Sequence, residues 1–329
     1  MQKLPFVSIV VPFYNSQTTL EKCISSLLKL NFQRERYEII LVNDCSTDNS
    51  VGIANKFAEL YPNHVKVVDL KKRTGVMAAR NEGILRSKGE IIACTDADCI
   101  VHPKWLRAMV SRFNEVEAGG VRGKTLPIGR SKFTLFRLDA PVSTYGFRTC
   151  NIAYRRDVLF NVGLFDERFS PPTVYHRGDA DLAFRVLDKG FKIIFEPEAK
   201  VFHPIKKGIR KIYKWGLKHR FDALLYKKHP VRARELLGIK LAFITSWGLA
   251  FSMATFSLLL LAVALYFGNI LLQILSVCII ALEYTITFLR YYRHKGIIGL
   301  ISPIALYVFL LFCQISRLYG SLKYKKLIF

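Results

Sequence analysis

The chain has 329 residues, enough for one large domain or two smaller ones with a sizeable core, and a formal net charge of +24. Its 7 cysteines are scattered, with no Cys-x-x-Cys pair. That excludes a disulfide framework and a zinc knuckle, and points to free thiols in a reducing compartment. The 51% hydrophobic content is unevenly spread: residues 1–235 read as a globular domain, and the apolar residues collect beyond them.

The globular part alternates between two periods. "VSIVVPF" (7–13) is a continuous apolar run of strand length. "SQTTLEKCISSLLKL" follows, with Leu20, Ile24, Leu27 and Leu28 on one helical face. "YEIILVND" (37–44) is a second strand, and "STDNSVGIANKFAEL" a second helix with Ser46, Thr47 and Asp48 as capping candidates. "VKVVDL" (65–70), the helix "GVMAARNEGILRSK" and the strand "GEIIACTDAD" complete the series. A βαβαβαβ order predicts a parallel sheet with helices on both faces, and unbroken apolar strands fit burial on both sides.

Such a sheet places ligands at the carboxyl ends of its strands. Asn15 and Asp44 close the first two strands, and Asp96 and Asp98 follow the fourth, so all four share one edge. The chain carries neither a GxGxxG nor a GxxxxGK[ST] phosphate loop. Hard oxygen ligands suit Mg2+ or Mn2+, which are commonly shared between carboxylates and substrate phosphates. In an extended segment Asp96 and Asp98 would face the same way and reach one diphosphate. Taken alone, the pair is equally well an acidic turn before Pro103.

Beyond residue 205 the character changes. From Lys206 to Arg234 a dense run of Lys and Arg is opposed by Asp222 alone. The segment 206–237 reads as a basic amphipathic helix lying on a bilayer, with Ile209, Ile212, Tyr213, Trp215, Leu217 and Phe221 on its apolar side. Three apolar stretches follow at 241–267, 270–289 and 297–316, the second interrupted by Glu283. Each matches the ~20 residues a spanning helix needs. The expected division is therefore a catalytic domain (1–205), a basic juxtamembrane segment (206–237) and a membrane domain (238–329). No signal peptide is visible, so the expected location is a multi-pass cell-membrane protein with a cytoplasmic catalytic domain. The basic stripe abuts an apolar stretch and has no DNA- or RNA-binding motif, so nucleic acid is not an expected partner.

Six blocks decide among the functional readings. "VSIVVPFYN", "VNDCSTDNS", "GVMAARNEG", "IIACTDAD", "RTCNIAYRRDVLFNVGLFDERF" and "RGDADLAFRVLDKGFKI" occur in that order. Over roughly residues 6–205 the chain closely resembles the family 2 glycosyltransferases, including the membrane-anchored enzymes of succinoglycan-type polysaccharide or lipid-linked-sugar assembly. The resemblance implies an α/β GT-A fold, here followed by C-terminal transmembrane helices. It implies an inverting, metal-dependent hexosyltransferase that moves a sugar from a nucleotide-diphosphate donor to a hydroxyl of a membrane-associated, lipid-linked glycan.

By the same resemblance Pro12, Tyr14, Asn15, Asp44, Gly75, Arg80, Asn81 and Asp96 hold the donor, and Asp98 is the direct metal ligand. Asp179 falls on the catalytic base, with Asp181 and Arg185 on its supporting positions and Asn151 in the acceptor block. His203 either approaches the metal or is structural. Tyr14 either stacks on the base or packs on the sheet. Asp179 also reads as a helix cap, a role compatible with that of a base. An inverting transfer needs one base for the acceptor hydroxyl and stabilisation of the departing diphosphate, which accounts for these residue types. Departures are Asn43, where an acid is usual, Cys150, where Gly is common, and Gly178, where Glu precedes the base. "KIYKW" (211–215) lacks the Gln and Arg of processive synthases. The alternatives are a polyprenyl-phosphate sugar synthase, whose acceptor is the phosphate itself, and a catalytically silent membrane scaffold.

Overall fold

The computed structural model describes residues 4–128, 146–172, 177–204, 217–237, 260–261, 263–279 and 315–326. The chain divides into two compact units, Met1–Lys206 and Lys207–Phe329.

The first unit is built on strands β1 (Val7–Phe13), β2 (Tyr37–Asn43), β3 (Val65–Asp69), β4 (Ile91–Cys94), β5 (Ile100–Val101), β6 (Ala118–Ile128), β7 (Ile152–Arg155) and β8 (Lys192–Pro204). They form one sheet in the order β3-β2-β1-β4-β7-β6-β8-β5. Every residue of β1 and β2 is buried, because both faces of the central strands are covered. This is why they read as unbroken apolar runs. The helices are α1 (Leu20–Leu28), α2 (Ser50–Leu60), α3 (Val76–Leu85), α4 (Trp105–Ser111), α5 (Arg156–Val162) and α6 (Gly178–Asp188). Leu20, Cys23, Ile24 and Leu27 of α1 enter the same core as Ile9, Val11, Ile39 and Leu41.

The expected parallel sheet holds for half of the structure. β1 pairs in parallel with β2 and β4, and β2 with β3. Past β4 the sheet turns mixed. β7 runs antiparallel to β4 and to β6, β6 and β8 are parallel, and β5 is antiparallel to β8. The strict strand–helix alternation ends after β4, and with it the crossovers that force strands to run the same way. Pro12 marks where the sheet opens. Pairing of β1 with β4 stops at Val10↔Cys94, so the N–H that proline lacks is not missed by the ladder.

In the second unit, the described part of the helix expected over 206–237 contains two helices, α7 (Asp222–Lys228) and α8 (Pro230–Leu237), while Ile209, Ile212, Tyr213 and Trp215 lie outside the described residues. The break falls at His229, where the residue before proline leaves helical geometry. Phe221, expected on a lipid-facing side, is buried in protein. Beside it the fully buried Asp222 takes His219 Nδ1 at 3.0 Å and Arg317 Nε at 2.9 Å. Part of the basic excess therefore neutralises a buried acid.

The transmembrane expectation is overturned. Among the described residues no helix is long and apolar enough to cross a membrane. C-terminal transmembrane helices and a multi-pass membrane location are accordingly not supported. Gly268, at φ 65, closes a turn after 263–266. Asn269 then caps the next helix by accepting from Leu272 N at 3.1 Å. Residues 241–259, 280–289 with Glu283, and the third stretch up to residue 314 lie outside the described residues.

Candidate active site

Because β2, β1 and β4 are neighbouring parallel strands, their carboxyl ends bring Asp44, Asn15 and Asp96 to one edge. Asn15 sits at φ 47, a conformation asparagine tolerates better than most residues. The turn is fixed from the next loop. Ser46 Oγ accepts from Asn15 N at 3.0 Å, and Asn15 Oδ1 accepts from Thr47 N at 2.8 Å. Ser46 and Thr47, capping candidates by sequence, serve this contact; α2 begins later, at Ser50. Over the ring of Tyr14 lies the guanidinium of Arg73, 3.7 Å from its centre.

Asp44 organises the entry to α3. Its carboxylate accepts from Thr74 N at 2.6 Å, Thr74 Oγ1 at 3.0 Å and Gly75 N at 3.0 Å. Gly75 is required at φ 97, and a side chain there would strike the Ser170 carbonyl. One turn on, the fully buried Arg80 pairs with Asp96. Asn43 has the partners of an amide, not of an acid. It donates to Asp69 Oδ1 and accepts from Ser46 N.

Asp96 and Asp98 lie in a tight turn closed by Cys99 N donating to Asp96 O at 2.9 Å, not in the extended segment expected. Asp96 turns to Arg80, and Asp98 to His203, whose Nε2 is 3.6 Å from Asp98 Oδ1. The antiparallel register Ile100↔Phe202 carries His203 to this place. One ligand atom each from Asp96, Asp98, Cys99 and His203 all fall within 4.8 Å of one another. The donor set suits a divalent cation. His203 Nδ1 lies 2.9 Å from the Pro204 carbonyl, which can only accept, so Nδ1 carries the proton. With Nδ1 committed to that carbonyl, Nε2 is the ring nitrogen that faces Asp98 and the one available to a cation. Cys99 is a different kind of neighbour. Its hydrogen bond with Cys150 and its burial hold the thiol far above the ordinary range, so it stays neutral.

Asp179 is in the first turn of α6. It is partly exposed at the surface, yet enough protein surrounds the carboxyl for desolvation to raise it above the ordinary aspartate range. The N–H of Ala180, at 2.9 Å, and the charges of Arg177 and Arg80 oppose that rise without cancelling it. Asp181 is fully buried and takes Nε and Nη2 of Arg185 at 3.1 and 2.8 Å.

A family model described as glycosyl transferase family 2 matches residues 8–167. Glycosyltransferase AglE of Haloferax volcanii is 30% identical over 213 residues, 62% of this chain and 68% of its own length. The chain belongs to glycosyltransferase family 2. It is a glycosyltransferase. Other curated relatives are covered over half their length or less. Among solved structures, the mannosyltransferase PcManGT from Pyrobaculum calidifontis, in complex with GDP-Man and Mn2+, superposes with a TM-score of 0.64. That likeness covers 97% of this chain and 88% of the other at 18% identity, and is one of fold. TarS of S. aureus, residues 1–349 in complex with UDP, gives a TM-score of 0.51 at 20% identity, over 67% of this chain and 65% of its own.

Within this family member the expected residues separate into those that meet and those that brace. Pro12, Tyr14, Asn15, Asp44, Gly75, Arg80 and Asp96 gather at the carboxyl ends of β1, β2 and β4, with Asp98 and His203 beside them. Asn81 turns away from that edge. It is buried, and its carboxamide binds the backbone of Phe165. Asn151 is equally occupied, by Trp105 Nε1 at 2.9 Å and Ala199 O at 3.0 Å, which makes it a support of the sheet. Gly178 is explained by space. A Cβ there would lie 3.0 Å from Met77 Cε and 3.2 Å from Phe169 Cβ, so a glutamate would part these contacts. Arg73 and Ser170 were not marked by any motif, and Cys99 was set aside because its spacing from Cys94 fits no zinc knuckle. For Cys99 the available signal was its position next to Asp98.

Proposed function

We propose that this glycosyltransferase acts with inversion, with Asp179 as the general base for an acceptor hydroxyl. The observation that carries this reading is the environment of Asp179. A carboxyl held above its ordinary range at the start of a rigid helix is suited to take up a proton near neutral pH. Pro12, Tyr14, Asn15, Asp44 and Gly75 shape the seat of the nucleotide, and Arg80 fixes Asp96 beside it. Asp98 and His203 are the residues that would hold Mg2+ or Mn2+, with Asp96 and Cys99 within reach. When bound, such an ion offsets the charge of the departing diphosphate. The acceptor in this reading is a glycan hydroxyl. A lipid carrier for that glycan is one arm of the test.

The experiment is a donor screen with purified full-length chain, Mn2+ or Mg2+, and UDP-, GDP- or dTDP-sugars. Nucleoside diphosphate release is followed with free glycan, lipid extract or neither. Asp98→Ala and Asp179→Asn are run alongside. Release that depends on the metal and on one acceptor, and that is lost in both variants, supports the reading. Loss in Asp98→Ala alone would favour a phosphate acceptor, which needs no strong base. No metal-stimulated release or binding with any donor would overturn it.

A further inference from the structure

The last residue of α5, Val162, and the segment 163–170 that follows are gripped by two helices. From α3, Asn81 Nδ2 donates to Phe165 O at 2.9 Å and to Glu167 Oε1 at 3.1 Å, and Asn81 Oδ1 accepts from Phe165 N at 2.9 Å. Met77 N donates to Ser170 Oγ at 3.3 Å. From α6, Arg185 donates to the carbonyls of Val162, at 2.6 Å, Gly163, and Leu164, at 2.7 Å, while Asp181 holds its guanidinium from behind. The first residue of α6, Gly178, packs directly on Met77 of α3 and on Phe169 of the segment.

The helix that carries Arg80, the partner of Asp96, and the helix that opens with Asp179 are thus joined through one short spacer. We propose that Asn81 and Arg185 are positioning residues, which lock this spacer and thereby set the distance between Asp179 and the donor edge. The inference rests on the reading of Asp179 as the base. A base works only within hydrogen-bond reach of its proton. A displacement of about 1 Å costs on the order of 100-fold in rate. The clamp supplies that constraint through backbone carbonyls, which have no side-chain signature of their own. Gly178 allows the close approach.

The test uses the full-length chain and steady-state nucleoside diphosphate release. Asn81→Asp removes the amide donor and keeps the acceptor for Phe165 N. The expected result is a kcat lower by about 10- to 100-fold, with donor KM and the Kd for nucleoside diphosphate within about twofold of wild type. In Asn81→Asp combined with Glu167→Gln, the glutamine amide donates to the new carboxylate, and kcat recovers by several-fold. A role in stability alone would not produce that split or that rescue. A raised donor KM with kcat unchanged would make Asn81 a donor contact and overturn the inference. So would a lower Tm with both constants unchanged. Should Asn81→Asp not fold, Arg185→Lys reads the same split: lysine keeps the charge for Asp181 but cannot span three carbonyls. Unchanged kcat there would also overturn it. Asp179→Asn separates the two claims. If it retains wild-type rate, the base assignment fails. If it is inactive while Asn81→Asp and Arg185→Lys are unaffected, the positioning role alone fails.

Discussion

On the parallel half of the sheet, Asp44 accepts three hydrogen bonds and Asp96 faces a buried arginine. At the head of α6, Asp179 accepts from the neighbouring Ala180 N–H, and desolvation outweighs that bond. The first half surrounds its carboxylates with donors before any ligand arrives. The second half disfavours the anion it presents. A group that must bind charge and a group that must take up a proton call for these opposite treatments. The contrast is built by different means. Backbone N–H groups and Arg80 act at the ends of parallel strands, and apolar packing around Gly178, Met77 and Phe169 acts at the start of a helix.

The largest expected effect comes from removing the disfavoured charge. Asp179→Asn keeps the shape and cannot take a proton, so transfer should fall by about 10²- to 10⁴-fold. Stability should move the other way. A carboxyl raised above its unfolded value costs stability once pH rises through its folded value, and that cost is absent below its unfolded value. The asparagine variant should therefore melt higher than wild type near neutral pH, and the gain should vanish as the solution is acidified. In wild type the acid limb of kcat/KM should lie above the ordinary aspartate range, with Arg177 and Arg80 limiting how far. Among the described residues, Asp181, Arg185 and Tyr154 also face this corner. Thermal melts across pH together with a pH–rate profile check both. A Tm gain that persisted into acid would remove the contrast between the two halves.

Arg80→Met tests the other side. Methionine fills much of the space and leaves Asp96 without its buried partner. Asp96 remains partly open to water, so the expected loss is at the lower end for a broken buried pair, about 3 kcal/mol. Denaturant titration measures it. A loss under about 0.5 kcal/mol, the size typical of an exposed pair, would mean that Asp96 is held by solvent and not by Arg80.

How much of this was legible in the sequence follows from which residues speak for themselves. "VSIVVPF" marks β1 to the residue because both of its faces are buried, and the acids at the strand ends mark the edge. Asp179 was legible through the block it sits in. The clamp was not: the resemblance marked Asn81 and Arg185, but apart from Glu167 Oε1 and Asp181 the groups they bind in and around 162–167 are main-chain ones that any sequence carries. The apolar stretches past residue 240 show the reverse failure. There a strong compositional signal predicted spanning helices, but composition does not fix helix length, and among the described residues no helix is long and apolar enough to be one.

The smallest effect concerns Asn43, where an acid is usual in the family. Asn43→Asp would set a carboxylate against Asp69 Oδ1 in place of an amide donor, while the oxygen that accepts from Ser46 N is retained. Asn43 is buried at the end of β2, and β3 holds Asp69 directly opposite in register. Two carboxylates in contact cannot both ionise at ordinary cost, so one titrates at a raised pH in the folded state. The cost is present at neutral pH and relieved as pH falls through that raised value. The expected penalty is about 1 kcal/mol near neutral pH, as for a lost hydrogen bond, read as a lower Tm that converges on wild type in acid. Asp69→Asn in the same chain should restore the donor from the opposite strand and recover the loss. If Asn43→Asp instead melted like wild type at neutral pH, the amide would not be what ties β2 to β3. The departure from the family's acid would then have no basis in this contact.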